Sequence, residues 1–225
     1  MKKTFYTEWA YVVGIVAIAL GTAFMEAADF GVSMVVAPAY LIYLKLSESL
    51  SFFTFGMAEY VFQGILLILM FILLRKFRLS YLFSFVTAIV YGLVLDGLML
   101  AVSFIPSETI PVRILLYLAG MFVCSVGVSM MFHTYIAPEV YEMFVKEVAE
   151  KYHLNINKFK TGYDCVSCAV GVILSFAFFG FGHFEGVKWG TIVCALVNGW
   201  IIGRCSAFFE KRFTFRDGLK LRKLF

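Results

Sequence analysis

Six nearly unbroken apolar runs, each about 20 residues long, constrain this chain more than any other feature. They cover residues 10–28, 51–74, 81–105, 112–135, 162–181 and 189–209. A helix rises about 1.5 Å per residue, so each run can cross the roughly 30 Å of hydrocarbon in a bilayer. A soluble globule of 225 residues could not hide them: 62% of the chain is hydrophobic and only 15% is charged. Soluble domains are about 45–50% apolar and about 25% charged. The composition excludes a soluble enzyme, a nucleic-acid-binding domain, a disordered chain and a disulfide scaffold. What remains is an all-α polytopic membrane protein of six transmembrane helices, folded as one domain over residues 1–225.

Two further pieces are too short or too polar to span. Residues 31–46, GVSMVVAPAYLIYLKL, are interrupted by Pro38, and residues 137–152, APEVYEMFVKEVAEKY, carry charges on one helical face and Val, Phe and Tyr on the other. Both read as short re-entrant or interfacial helices. Lys2 and Lys3 ahead of the first run resemble a signal peptide, but no cleavage site followed by a polar mature domain is present, so the run reads as a retained helix.

The net charge of +4 is explained by topology. With six spans and a cytoplasmic N-terminus, fifteen of the nineteen Lys and Arg fall on the inner side: Lys2, Lys3, Arg75, Lys76, Arg78, Lys146, Lys151, Lys158, Lys160, Lys211, Arg212, Arg216, Lys220, Arg222 and Lys223. Lys45, Arg113 and Lys188 fall outside, and Arg204 lies within the sixth run. Positive residues collect in cytoplasmic loops. The pattern predicts a multi-pass membrane protein with both termini and a basic tail, 210–225, in the cytoplasm. The lipid bilayer is then its partner, and nucleic acid is not.

The two halves repeat. Gly21 and Gly127 are 106 residues apart, Glu59 and Asp164 are 105 apart, and Gly92 and Gly199 are 107 apart. Around the last pair, FVTAIVYG matches IVCALVNG at four of eight positions, and both halves carry Ala-Pro, at Ala37-Pro38 and Ala137-Pro138. Three spans per copy is an odd number, so the second copy enters the membrane from the opposite side. The expectation is a 3+3 inverted repeat, with repeat A over about 10–105 and repeat B over about 112–209. Such repeats recur in secondary transporters, with the site near the midplane at the repeat interface.

Ionisable groups inside a span cost several kcal/mol unless paired or hydrated, so they are candidates for function. Each run supplies one: Glu26, Glu59, Asp96, His133, Asp164 and Arg204. Glu59 and Asp164 are repeat equivalents, and His133 falls one residue past the equivalent of Glu26. These six are the expected substrate- or ion-binding set, with Asp96 deepest in its run. Arg204 could instead pair with Asp96 or Asp164, or reach cytoplasmic phosphates. Several of the six lie near span ends, where interfacial water alone would satisfy them.

Cys165 and Cys168 form one C-x-x-C, but a metal site needs about four ligands, so all five cysteines read as small buried hydrophobes. No metal or cofactor is expected. The glycines within spans let helix backbones approach one another, and Ala19, Ala23 and Ala27 form a small-residue ridge on the first helix. Asp96 and Asp164 superficially suggest an aspartyl protease dyad, but G-x-G-D is absent and the motif order is wrong. No P-loop, H-E-x-x-H or G-x-S-x-G occurs, so no enzymatic activity is expected.

The stretch GTAFMEAADFGVSMVVAP resembles the end of the first helix in the YczE/YitT-type bacterial membrane proteins. KWGTIVCALVNGWIIG is similar to that family's closing glycine motif, matched at Gly190, Thr191 and Gly199. The resemblance covers most of the chain. It departs at Ser33, which is followed by Met34 where the family has Pro, and at Gly180-Phe181-Gly182 where it has Gly-Gly. It implies a multi-pass membrane fold and leaves activity open.

The resulting expectation is a transporter of a small solute or ion, with Glu59, Asp96 and Asp164 favouring a cation or proton. The alternatives are a substrate-binding membrane subunit of an energy-coupled vitamin importer, docking through the alanine ridge, and a regulatory membrane protein that moves no solute. A homodimer is open to any of them.

Overall fold

The structure is a computed structural model, and it describes residues 2–76, 78–106, 109–182 and 184–219, with the side chains of 156–158 outside that description. Of the charges used for topology, the Lys158 side chain and Lys220, Arg222 and Lys223 lie outside the described residues. The order is β1 (Lys3–Tyr6), α1 (Thr7–Ala28), α2 (Ala37–Ser47), α3 (Phe55–Leu74), α4 (Leu79–Val102), α5 (Ile110–Met131), α6 (Val140–Lys151), α7 (Ile156–Phe179), α8 (Trp189–Arg212) and β2 (Phe213–Arg216). Six of the helices are long and apolar enough to span a membrane. Their outer faces carry bare aliphatic side chains, such as Ile68, Leu93, Leu100, Leu115 and Leu196. Only lipid tolerates apolar surface so extensive, so the chain is an integral, multi-pass membrane protein. Trp9 and Trp189 stand exposed at helix starts, where indoles anchor at the membrane–water interface.

The helix limits follow local chemistry. The sequence places the second span from 51, but α3 starts at Phe55 because the Thr54 hydroxyl accepts the Met57 N–H as an N-cap. Pro111 opens the first turn of α5, where the missing N–H is harmless. Gly180, at φ 94°, ends α7 with its N–H on the Phe176 carbonyl.

The fold is all-helical as expected, with two short strands added at the ends of the described chain. β1 and β2 pair in parallel, Lys3 opposite Phe213 and Tyr6 opposite Arg216. β2 alternates aromatic and polar residues, β1 runs from polar to aromatic, and Phe5 packs edge-on against Phe213 and Phe215 at 5.6 and 5.9 Å. The pairing brings the two ends of the described chain to one end of the bundle. At the other end, Asp29 accepts from Arg113 at 2.8 Å and from Lys188 at 2.5 Å, joining the C-terminus of α1 to the N-terminal ends of α5 and α8.

The core is a backbone-to-backbone seam between α1 and α5. A Cβ on Gly21 would sit 2.6 Å from the Gly120 carbonyl oxygen, and one on Gly127 would sit 2.7 Å from the Gly14 carbonyl oxygen. Neither distance is possible for a real side chain, so glycine is required at both contacts. Around this seam α1 also packs on α4, α5 on α8, and α3 on both α4 and α6. The short helices sit inside the bundle rather than on its rim: α2 lies against α3 and α7, and α6 against α3, α4 and α7.

Candidate functional site

The site begins where α5 stops. Pro138 cannot continue a helix, because its ring blocks the preceding turn and it lacks an N–H. The chain therefore crosses from Phe132 to Glu139 in open conformation. Two hydroxyls of α4 hold the crossing: Ser84 donates to the Pro138 carbonyl at 2.5 Å and Thr87 to the Ala137 carbonyl at 2.9 Å. α6 then starts at Val140, deep in the bundle, and its first backbone N–H donates to Gln63 Oε1 of α3 at 3.0 Å.

That bond fixes the Gln63 amide, since only its oxygen can accept an N–H. The NH2 group is thereby turned towards two carboxylates, donating to Glu59 Oε2 at 3.3 Å and to Glu139 Oε2 at 3.2 Å. The Tyr141 hydroxyl donates to the same Glu59 oxygen at 2.9 Å. Glu59 and Gln63 are fully buried and Glu139 is 5% exposed. Glu59 Oε1 is buried without a hydrogen-bond partner among the described residues.

On the open side of this network is a cavity of about 330 Å³. Tyr91, Glu139, Tyr141, Glu142, Lys160 and Asp164 contribute its polar wall, together with Asn198 and Gly199 of α8. Three carboxylates thus face one described cation, Lys160, which pairs with Asp164 at 3.0 Å. Burial holds the Glu139 carboxyl well above the usual range, and the negative charges of Glu142 and Glu59 push it the same way. Burial also raises Glu142, against the opposing pull of Lys160. The arrangement can bind a cation or exchange a proton.

The six expected residues do not converge. Glu59 and Asp164 flank the start of α6, Asp164 on the cavity wall and Glu59 behind it. Asp96 lies at the start of α3, where it accepts from the Thr54 hydroxyl and the Gly56 N–H, both at 2.7 Å. Glu26 is near the Asp29 end, 3.4 Å from the Tyr40 hydroxyl. His133 sits by the paired strands, its Nδ1 2.8 Å from the Ser129 carbonyl, its Nε2 3.4 Å from Glu210 and its ring 4.4 Å from that of Phe215. Arg204 is exposed, its guanidinium 5.3 Å from the Trp200 ring, and neither Asp96 nor Asp164 pairs with it. Cys165 is exposed, whereas Cys124 and Cys194 are buried.

Sequence reasoning missed Gln63, Glu139, Tyr141 and Glu142. The helix 137–152 is amphipathic, and its acids read as the wet face. The available signal was Glu139 and Glu142, one turn apart directly after a proline that had to break the chain inside the membrane.

The two stretches that carry the family resemblance dock on each other. Thr191 Oγ1 donates to the Val32 carbonyl at 2.8 Å, and the Gly190 N–H donates to the Phe30 carbonyl at 2.9 Å. Gly31, at φ 96°, has no room for a side chain beside Thr191. No curated protein and no solved structure matches the chain. A family model does, over residues 5–207, and the chain belongs to that family, a family of unknown function (DUF6198).

Proposed function

We propose that the chain is a secondary transporter of the bacterial inner membrane, built as a 3+3 inverted repeat, that moves a small organic cation through the 330 Å³ cavity. The repeat is supported by the α1–α5 seam. Gly14 and Gly120 are 106 residues apart, as are Gly21 and Gly127. Gly14 faces Gly127 and Gly120 faces Gly21, so exchanging the halves maps the seam onto itself. A two-fold axis produces self-complementary contacts of this kind. Three further pairings follow the same exchange: α1 with α4 as α5 with α8, α3 with α6 as α7 with α2, and α2 with α3 as α6 with α7.

Two pairings depart among the described residues: α4 packs on α6 where α8 does not pack on α2, and α3 packs on α4 where α7 does not pack on α8; the second carries the functional reading. α3 closes on α4 at Gly56 and Gly92, where a Cβ on Gly92 would lie 2.8 Å from the Gly56 carbonyl oxygen. The equivalent glycines, Gly162 of α7 and Gly199 of α8, have nothing among the described residues within 4 Å of the Cβ position. One half is shut and the other open. In a symmetric machine, exchanging these states is alternating access. The cargo class follows from the wall, three carboxylates against one lysine. Both termini are cytoplasmic in this reading, supported by the lysine and arginine bias and by the β1–β2 pairing. The docked Gly31 and Thr191 stretches support the YczE/YitT-type kinship. No cofactor and no chemical step is involved.

Reconstituted protein should accumulate tetramethylammonium in liposomes above the protein-free level, and Gly199→Leu should fold but lose that flux, because α8 can no longer close. Equal tetramethylammonium flux in wild-type and protein-free vesicles would contradict the reading. The vitamin-importer alternative loses its docking ridge, since Ala19 and Ala23 are fully buried. A homodimer keeps a specific observation: Gly199 and Gly203 form a G-x-x-x-G on α8, and Gly203 is exposed with nothing among the described residues within 4 Å of its Cβ position. Leu substitution of Gly203 that splits a dimer in nanodiscs would favour it.

A further inference from the structure

The Glu59–Gln63–Glu139 network holds two carboxylates in one buried place with no cation beside either among the described residues. The donors there are few: the Tyr141 hydroxyl and the Gln63 NH2, which is shared between the two acids. The amino end of α6, directly after Glu139, favours one negative charge. One carboxylate is provided for and a second is not. Like charges so close in a dry site cannot both persist; the known resolution is one proton held between two acids.

We infer that Glu59 and Glu139 form a proton-binding site that holds one exchangeable proton at neutral pH, seated on Glu59 Oε1. That oxygen accepts no hydrogen bond, so it loses least by carrying the proton. A metal ion is disfavoured at the same place by the Gln63 amide. Its oxygen is committed to the Val140 N–H, so it presents N–H groups, not a ligand oxygen, to the space between the acids.

Ionisable groups on the surrounding elements set the proton's environment. They are Tyr11 on α1, Tyr91 on α4, Cys124 on α5, Tyr141 and Glu142 on α6, and Lys160, Tyr163 and Asp164 on α7. Of these only Lys160 is a cation, and it is already paired with Asp164. Glu139 reaches the cavity wall, so the proton can exchange with water there while Glu59 stays sealed behind it. A cationic cargo arriving beside Glu139 would compete with the proton, which is the thermodynamic basis of antiport. The use made of the proton rests on the transport reading; its presence does not.

The experiment reads presence alone. Full-length protein in nanodiscs is titrated from neutral to alkaline pH while infrared difference spectra follow the carbonyl stretch of protonated carboxyl groups. The expected result is a band at neutral pH that disappears on alkalinisation and loses most of its intensity in Glu59→Gln or in Glu139→Gln. Tyr141→Phe keeps both acids and removes one hydrogen bond to Glu59, so it should shift the band. Absence of a protonated-carboxyl band at neutral pH overturns the inference. So does a band of full intensity in both glutamine variants, or, if those do not fold, one that Tyr141→Phe leaves unmoved.

Discussion

The pair α3–α4 and the pair α7–α8, which correspond in the proposed repeat, are packed in opposite ways. In the first, glycine meets glycine and the backbones touch; in the second, the corresponding glycines face open space. The spans differ accordingly: a third of the core window of α3 and of α4 is buried, against 17% for α7 and 11% for α8. Glycine in a helix interior costs about 1 kcal/mol relative to alanine. At Gly56 and Gly92 close packing returns that cost. At Gly162 and Gly199 no close packing among the described residues does; the proposed exchange would use them in a conformation where α7 and α8 meet.

The comparison can be broken most severely at the seam both halves share. Gly21→Leu or Gly127→Leu forces a side chain into the opposite backbone, and overpacking of this kind costs about 1–3 kcal/mol or more. Both variants should fail to give monodisperse protein in size-exclusion chromatography. The next effect separates the two pairs. Gly56→Ala should lower the thermal midpoint, because its Cβ meets the Gly92 carbonyl. Gly162→Ala should leave the midpoint unchanged or raise it, by up to about 1 kcal/mol of helix propensity. Equal destabilisation by the two alanines would erase the distinction between closed and open pairs.

The smallest effect is in pH. Burial and the neighbouring acids raise Glu139 above the ordinary carboxylate range, so the folded protein keeps one proton on the Glu59–Glu139 pair that the unfolded chain has already lost. Stability is therefore full in acid and declines as pH rises from the ordinary carboxylate range through the raised value. Thermal unfolding across that range should show the decline in wild type and a flatter profile in Glu139→Gln. A wild-type profile with the opposite slope would contradict the assignment.

The fold was largely legible because a bilayer leaves few choices. A run of 20 apolar residues must be a helix, since lipid offers no partner for an open backbone. The periodic glycines at 21, 92, 127 and 199 were readable for the same reason: only close helix contact rewards them. The candidate site was legible in part. Glu59 stood out as a charge in an apolar run, and Asp164 as its partner by spacing. Glu139 and Glu142 did not, because an amphipathic helix looks the same whether its acids face water outside the bundle or a wet cavity within it. Asp96 shows the converse: its depth in the sequence concealed that α3 begins beside it, and its carboxylate serves the exposed N–H end of that helix. The strands escaped because each is only four residues long, too short to distinguish a strand from a tail.

The central claim is that the two halves exchange their open and closed packing. Spin labels at Val166 and Leu196 would report the α7–α8 separation, and labels at Val61 and Leu93 the α3–α4 separation. Pulsed electron–electron resonance on each pair, in a cysteine-free background in nanodiscs at acid and alkaline pH, measures both distances. The account predicts two populations for each pair that shift with pH in opposite directions, α7–α8 closing as α3–α4 opens. A single unchanged distance for both pairs under every condition would contradict it.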